Sequence, residues 1–149
     1  MIEWVKKLLA RLPGARKRTD QQKLGDAGEA AAARFLRATR GMEILARQWR
    51  NPRNQSGEID LVCRDGEVLV FVEVRTRAPE KIEHAYVSVN RRKKAAIKRA
   101  ARAYLSGLGP RRFEISYRFD IVIVAHAADG TLTPHHFENV PLFSPGKYI

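Results

Sequence analysis

Apolar positions recur at helical spacing in the segment after Thr19, "QQKLGDAGEAAAARFLRATR". The apolar stripe comprises Leu24, Gly28, Ala31, Ala32, Phe35 and Leu36. Thr19 and Gln22 have the spacing of a capping box, so we predict a helix that begins after Thr19 and ends near Gly41. Glu29 lies at the edge of the stripe and is expected to border the core. A solvated position on the helix flank is the alternative for this glutamate.

From residue 42 the pattern changes to the alternation of apolar and polar residues that is typical of strands. "MEILARQWR" predicts a strand, "NPRNQS" a loop, and residues 57–77 two further strands separated by Asp65-Gly66, a strong hairpin signal. A two-residue loop at this place predicts that residues 64 and 67, 62 and 69, 60 and 71, and 58 and 73 pair. One face of the hairpin is then wholly apolar and is expected in the core: Ile59, Leu61, Cys63, Val68, Val70, Val72 and Val74.

The opposite face of the hairpin gathers negative charge. In the predicted register Glu58 stands directly across from Glu73, with Asp60 on the diagonal. Two unit charges about 5 Å apart repel by about 3 kcal/mol at an effective dielectric near 20. A raised carboxyl pKa, a cationic neighbour such as Arg75, or a bound divalent metal could offset this repulsion. A structural hairpin whose acids pair with Arg75 and Arg77 is the alternative to a metal site.

The second half of the chain predicts a strand–helix–strand crossover. "SVNRRKKAAIKRAARAYLSGLG" is expected to be a helix, preceded by the loop "TRAPEKIEHAY" and followed by the strand "RFEISYRFDIVIV" and an edge strand in "TLTPHHFE". The buried side of this helix is predicted to carry Ile97, Ala101, Tyr104, Leu105 and Leu108. Such crossovers give parallel pairing with a right-handed connection. The fold class is therefore α/β, a mixed sheet flanked by helices in the order α-β-β-β-α-β(-β).

The ends of the chain differ from this domain in pattern. Residues 1–19 predict a basic amphipathic helix and a linker, residues 20–138 the α/β domain, and residues 139–149 a tail. Lys6, Lys7 and Arg11 interrupt the N-terminal apolar run, so we expect neither a signal peptide nor integral membrane association. Weak docking of this helix on a membrane or a protein stays open. Cys63, the single cysteine, is predicted to pack in the core and fits a cytoplasmic protein.

Charge adds a class of partner. The 149 residues include 28 Lys and Arg against 16 Asp and Glu, a formal net charge of +12. Such a balance favours polyanions, of which nucleic acid is the commonest. The predicted contacts are Arg77, Arg91, Arg92, Lys93, Lys94, Lys98, Arg99 and Arg102. A basic surface that serves only solubility is the alternative.

Four segments together resemble a known family. "GDAGEAAAARFL", "GEIDLV", "VFVEVRTR" and "YRFDIVIV" are similar to the small bacterial family typified by YraN, and the resemblance covers roughly residues 20–125. That family in turn resembles the PD-(D/E)XK nuclease superfamily of restriction endonucleases and Holliday junction resolvases. The resemblance implies a restriction-endonuclease-like fold and Mg²⁺- or Mn²⁺-dependent hydrolysis of phosphodiester bonds in DNA.

Carried over residue by residue, the resemblance implies a catalytic set of Glu29, Asp60, Glu73 and Arg75. The metal ligands would be Asp60, Glu73 and Glu29, with Glu58 in support. The superfamily has lysine where this chain has Arg75, which stays protonated and cannot accept a proton. A module that binds nucleic acid without cleaving it is therefore the alternative function, and a homodimer is compatible with either one.

Two further roles follow from the resemblance and stay open. Lys94 or Lys98 could substitute for the missing lysine. Asp120 matches the "RFD" pattern of the family, and for it a structural role and a role in support of the site are equally open.

Overall fold

The computed structural model of the protein describes residues 17–55 and 57–142, which form a five-stranded mixed sheet between two layers of helices. The strand order is β1-β2-β3-β4-β5; β3 and β4 are parallel and the other neighbours antiparallel. The elements are α1 Asp20–Ala38, β1 Glu43–Arg50, β2 Glu58–Asp65, β3 Val68–Arg77, α2 Ile82–Val87, α3 Arg91–Gly107, β4 Tyr117–His126 and β5 Leu132–Phe137. The predicted mixed α/β architecture and element order are confirmed.

Helix α1 begins with the predicted capping box. The Thr19 hydroxyl accepts from the Gln22 backbone N–H at 3.2 Å, and the Gln22 side chain accepts from the Thr19 N–H at 2.9 Å. Gly28 lets the helix lie close against β3, because a Cβ atom at Gly28 would stand 1.9 Å from the Thr76 hydroxyl oxygen. This close approach brings the next residue, Glu29, against the sheet, where only 7% of it is exposed.

The β2–β3 hairpin has a different register from the one predicted. The pairs run from Asp65–Val68 to Leu61–Val72, so Gly66 and Glu67 form the two-residue loop. Gly66 has a φ of +59° and stands first in the loop, as in a type II′ turn. The difference of two residues keeps each side chain on its predicted face, but it removes Glu58 from its place opposite Glu73. Continuing the observed register instead sets Asp60 level with Glu73.

The predicted apolar face of the hairpin is correct except at Ile59. Leu61, Cys63, Val70 and Val72 pack with α1, whereas Ile59 packs with Val62 and Phe71 on the opposite side, beneath α3. Strict alternation would have kept Ile59 with Leu61. The backbone of β2 therefore turns at Asp60, which lies between them.

The crossover from β3 to β4 is parallel as predicted, but its details differ. The segment predicted as a loop contains the 3₁₀ turn Pro79–Lys81 and helix α2, which buries Ala85. Leu108, predicted to be buried, lies at the end of α3 and is 38% exposed. The strand predicted over residues 112–124 begins only at Tyr117, and its first two residues, Arg112 and Phe113, belong instead to the 3₁₀ turn Gly109–Phe113.

The predictions for the two ends of the chain fall partly on residues that the structure does not describe. The N-terminal amphipathic helix lies outside the described residues, as does the end of the tail. Of the tail, Val140 packs in the core beside Phe119, to whose carbonyl oxygen its N–H donates at 2.8 Å. Within residues 17–55 and 57–142 no helix is both long and apolar enough to cross a membrane.

Candidate active site

Asp60 and Glu73 meet where β2 and β3 separate. Beyond the last pair, Leu61–Val72, the Asp60 carboxylate replaces the strand backbone and accepts from the Val74 N–H at 2.8 Å. The carboxyl groups of Asp60 and Glu73 are close enough that each shifts the pKa of the other. Glu73 is only 5% exposed. Burial of two acids this close together favours protonation of one of them.

The pKa values of Asp60 and Glu73 are both raised, as expected for two buried acids that repel each other. Burial raises the pKa of Glu73, and the neighbouring Asp60 raises it further, to about 8. Burial also raises the pKa of Asp60, while the hydrogen bond from Val74 acts in the opposite direction. No N–H or O–H donor among the described residues reaches Oε2 of Glu73. Near neutral pH the raised pKa of Glu73 therefore favours its protonated form.

Glu29 reaches the same region from α1. Its Oε2 accepts from the Gln48 carboxamide at 3.3 Å, and its Oε1 lies 3.6 Å from Nε of Arg47. Burial raises the pKa of Glu29, the Gln48 hydrogen bond lowers it, and the charge of Asp60 raises it again. Glu29 is thus close enough to interact electrostatically with Asp60, although it is held by side chains of β1.

Two cations flank Glu73. Nε of Arg75 lies 3.8 Å from Oε1 of Glu73, and Nζ of Lys93 lies 3.4 Å from the same oxygen. Arg75 also donates through Nη1 to the Ser88 hydroxyl at 3.2 Å. Of the lysines in α3, Lys93 is thus the one that lies at the acidic pair, whereas Lys94 and Lys98 were predicted as substitutes for the missing lysine.

Glu73 lines an open cleft of about 660 Å³ between α1 and the N-terminus of α3. Four basic side chains also line this cleft: Arg75, Arg77, Lys81 and Lys93. Helix α3 begins there, capped by the Asn90 side chain, which accepts from the Lys93 N–H at 2.9 Å. The helix N-terminus adds a partial positive charge. A polyanion in this cleft would meet positive potential on both sides of Glu73.

Most of the other predicted nucleic-acid contacts follow α3 outward from this cleft. Arg91, Arg92, Arg99 and Arg102 are exposed, and Lys94 and Lys98 are half-buried. The first turn of the helix contains no acidic residue. The N-terminal half of α3 therefore continues the basic lining of the cleft.

A family model decides the relationship of the chain to known proteins. Residues 28–124 match the model described as "Uncharacterised protein family UPF0102". The chain belongs to the UPF0102 family. The matched segment contains all the residues of the candidate site, and the predicted membership of the YraN-like family is confirmed.

Individual UPF0102 proteins match over most of their length. A UPF0102 protein of Symbiobacterium thermophilum is 42% identical over 118 residues, covering 79% of this chain and 95% of its own. One of Anaeromyxobacter dehalogenans is 44% identical over 117 residues, 78% of this chain and 82% of its own. One of Chlorobaculum tepidum is 46% identical over 103 residues, 69% of this chain and 75% of its own.

The candidate site of this UPF0102 member suits a hard divalent cation without forming a closed cage. Among residues 17–55 and 57–142, no three Asp, Glu, His or Cys side chains are close enough to hold a metal by themselves. Mg²⁺ is commonly bound by one or two carboxylates and several waters. Asp60 and Glu73 provide two such carboxylates, and Oε2 of Glu73 is buried without a donor from the described residues.

Two acidic residues of the predicted site region have partners of their own. Glu58 is held by Arg50, whose Nε donates to it at 2.8 Å. The observed register shows that the predicted pairing of Glu58 with Glu73 is wrong, although the charge of Glu58 adds to burial in raising the pKa of Asp60. Asp120 lies on the α1 side of the sheet and binds Arg118, His136 and the Asn139 N–H. These contacts assign Asp120 a structural role.

Sequence reasoning missed three residues that contact side chains of the site: Gln48 and Arg47 at Glu29, and Ser88 at Arg75. Gln48 and Arg47 belong to a strand whose pattern carries no signal of a site, and Ser88 stands in a segment predicted as the start of a helix. Lys93 was predicted only as a phosphate contact. Its position beside Glu73 depends on how α3 packs against β3, which no local spacing specifies.

Proposed function

We propose that this protein is a nuclease that hydrolyses phosphodiester bonds in DNA with Mg²⁺ or Mn²⁺ as cofactor. The observation that carries the proposal is Glu73, a buried carboxylate beside Asp60 that has no protein donor at Oε2 and lines a cleft together with four basic side chains. A purely structural acid pair would be expected to have its oxygens satisfied. The resemblance of the chain to the PD-(D/E)XK superfamily supports the same reaction.

The proposed roles follow from the chemistry of each side chain. Asp60 and Glu73 would hold the metal through carboxylate oxygens, and Glu29 would orient the attacking water. When bound, the metal supplies a water of lowered pKa and a positive charge beside the phosphate. Arg75, held by Ser88, neutralises charge on the phosphate as it develops. Arg75 keeps its proton throughout, so the proton of the attacking water would pass to the Glu29 carboxylate.

The proposed substrate surface is the cleft together with the N-terminal half of α3. Its cations contact phosphates rather than base edges, so binding is expected to be sequence-tolerant and strongly dependent on salt. Replacing Arg91 and Arg92 with Glu should weaken binding to all sequences alike. The same changes at Arg34 and Arg37, exposed on α1, provide the matched control. Equal effects of both pairs would place the binding surface elsewhere.

The test of the activity is a panel of linear, nicked, flapped, branched and single-stranded DNA with Mg²⁺, Mn²⁺ or a chelator. Cleavage that requires the metal and disappears in Glu73→Gln supports the proposal. Binding without cleavage of any substrate would favour the second candidate, a non-cleaving DNA-binding module. The observation behind that alternative is Lys93, whose ammonium lies 3.4 Å from Oε1 of Glu73 and supplies positive charge to this acid without a metal.

A further inference from the structure

Gln48 has an unusual backbone conformation for a residue in the middle of a strand. Its φ is +49°, in the left-handed region that residues with a Cβ atom rarely adopt. The flanking residues Arg47 and Trp49 pair regularly with Leu61 and Ile59 of β2. The strain is therefore located inside the β1–β2 ladder and not at a turn.

The partner strand is irregular at the same level. Between those two regular pairs, Gln48 stands opposite Asp60. On β2, Val62 and Ile59 pack in the same core cluster although they are three residues apart, and the same holds for Ala46 and Trp49 on β1. Both strands thus turn together at Gln48 and Asp60. This turn releases Asp60 from the ladder, so its carboxylate reaches the Val74 N–H on β3.

The side chain of Gln48 has a second contact with the candidate site. Its Nε2 donates to Oε2 of Glu29 at 3.3 Å, and Glu29 is one of the few buried acids of the described residues. A carboxamide carries no charge and does not titrate, so it orients the carboxylate without neutralising it. Backbone strain that persists beside such a group is typical of functional sites.

We propose that Gln48 is a positioning residue of the metal site. Its left-handed backbone turns β1 and β2 so that Asp60 leaves the ladder, and its carboxamide holds Glu29 towards the same point. Gln48 touches neither metal nor substrate. This inference rests on the proposed function, because it assigns Gln48 to the site that Asp60 and Glu73 form.

Gln55 offers a matched control for the experiment. It is the same residue type with nearly the same backbone, at a φ of +51°, but it lies exposed in the loop before β2. Glycine adopts this conformation without a Cβ penalty, so Gln48→Gly and Gln55→Gly relieve the same kind of strain. The two variants therefore separate relief of strain from loss of positioning.

The experiment measures Mn²⁺ affinity by calorimetry and the melting temperature without metal for the wild type and both variants. We expect each variant to melt at or above the wild type, by up to about 4 °C. Gln48→Gly should bind Mn²⁺ at least about fivefold more weakly, and Gln55→Gly should bind it like the wild type. Gln48→Asn, which tolerates the backbone and keeps a carboxamide, should recover part of the affinity.

The outcomes distinguish this inference from the proposed function. Unchanged Mn²⁺ affinity in Gln48→Gly, or weaker affinity together with a lower melting temperature, would overturn the positioning role. In both cases wild-type binding of Mn²⁺ would leave the proposed function standing. A wild type that binds no Mn²⁺ would remove the proposed function first, and the positioning role with it.

Discussion

Two groups of buried acids on opposite sides of this sheet have opposite pKa shifts. Asp120 is fully buried, accepts from Arg118, His136 and the Asn139 N–H, and keeps its charge. Burial alone would raise the pKa of Asp120, but the hydrogen bonds from His136 and Arg118 lower it below the usual range. Asp60 and Glu73 instead face each other, and their pKa values are raised.

The difference in hydrogen-bond partners indicates the role of each group of acids. An acid whose partners satisfy it ties segments together, as Asp120 ties β5 and residue 139 to β4. An acid pair that is short of donors is destabilising in isolation and has capacity for an added cation. Structural and functional carboxylates can thus be separated by their partners, although both are buried and both lie on strands.

The largest expected effect concerns catalysis. Asp60→Asn and Glu73→Gln should each reduce metal-dependent cleavage by about 10³-fold or more, since each removes a charge that holds the metal. DNA affinity should stay equal or increase slightly, because a negative charge leaves a phosphate-facing cleft. Cleavage rates and binding isotherms measured together would test this. An equal loss of cleavage in Asp120→Asn, in a protein that remains folded, would contradict the distinction between a structural Asp120 and a functional Asp60–Glu73 pair.

The second effect concerns stability. Asp120→Ala should lower the free energy of unfolding by about 3 kcal/mol, because it leaves the buried groups of Arg118 and His136 without their partner. Arg118 retains Asp65, at 3.0 Å, which limits the loss. Denaturant unfolding would measure the change. Glu73→Gln should not share this loss, and a similar destabilisation in both variants would contradict the assignment of roles.

Arg75 should affect cleavage by about two orders of magnitude. Arg75→Ala removes a preorganised cation next to Glu73, so kcat should fall about 10²-fold. Arg75→Lys keeps the charge and restores the lysine of the superfamily signature, so activity should be retained or raised. Steady-state kinetics of the three proteins would check this order. Equal activity of Arg75→Ala and the wild type would exclude a role for the guanidinium.

The free energy of unfolding should decrease as the pH rises, because the pKa of Glu73 is raised in the folded protein. Folded Glu73 holds a proton up to a pH of about 8, whereas unfolded Glu73 loses it near the ordinary glutamate value of 4.5. Its contribution is therefore complete below about 4.5 and is lost as the pH rises through 8. Without metal, Glu73→Gln should exceed the wild type in unfolding free energy at pH 8.5 and match it at pH 4.5. A difference that grows towards low pH would contradict the shift.

The smallest effect should come from Lys93. Its ammonium lies beside Glu73 and competes with a metal for the same charge. Lys93→Met should therefore tighten Mn²⁺ binding about two- to tenfold in the absence of DNA, as expected for removal of a like charge near the surface. Lys94→Met, on the same helix, is the control. Weaker Mn²⁺ binding in Lys93→Met would show that the lysine supports the site structurally.

Local patterns predicted the elements better than their junctions. The capping box of Thr19 and Gln22 and the alternation in β2 and β3 are short-range signals, and both elements formed as predicted. Turn chemistry was less decisive, because Asp65-Gly66 and Gly66-Glu67 are both acceptable two-residue loops. Choosing between them depends on packing across the whole sheet, which explains the error of two residues in the register.

By itself the sequence determined the α/β class, the family, the faces of the strands and the gathering of acids against a basic background. Each of these depends on residue type and on spacing within one element. Only the tertiary structure decided that Asp60 rather than Glu58 meets Glu73, that Lys93 is the lysine at the pair, and that Gln48 holds Glu29. The reason is that these contacts join different elements, and their geometry depends on register, on the turn at Gln48 and Asp60, and on the close approach that Gly28 permits.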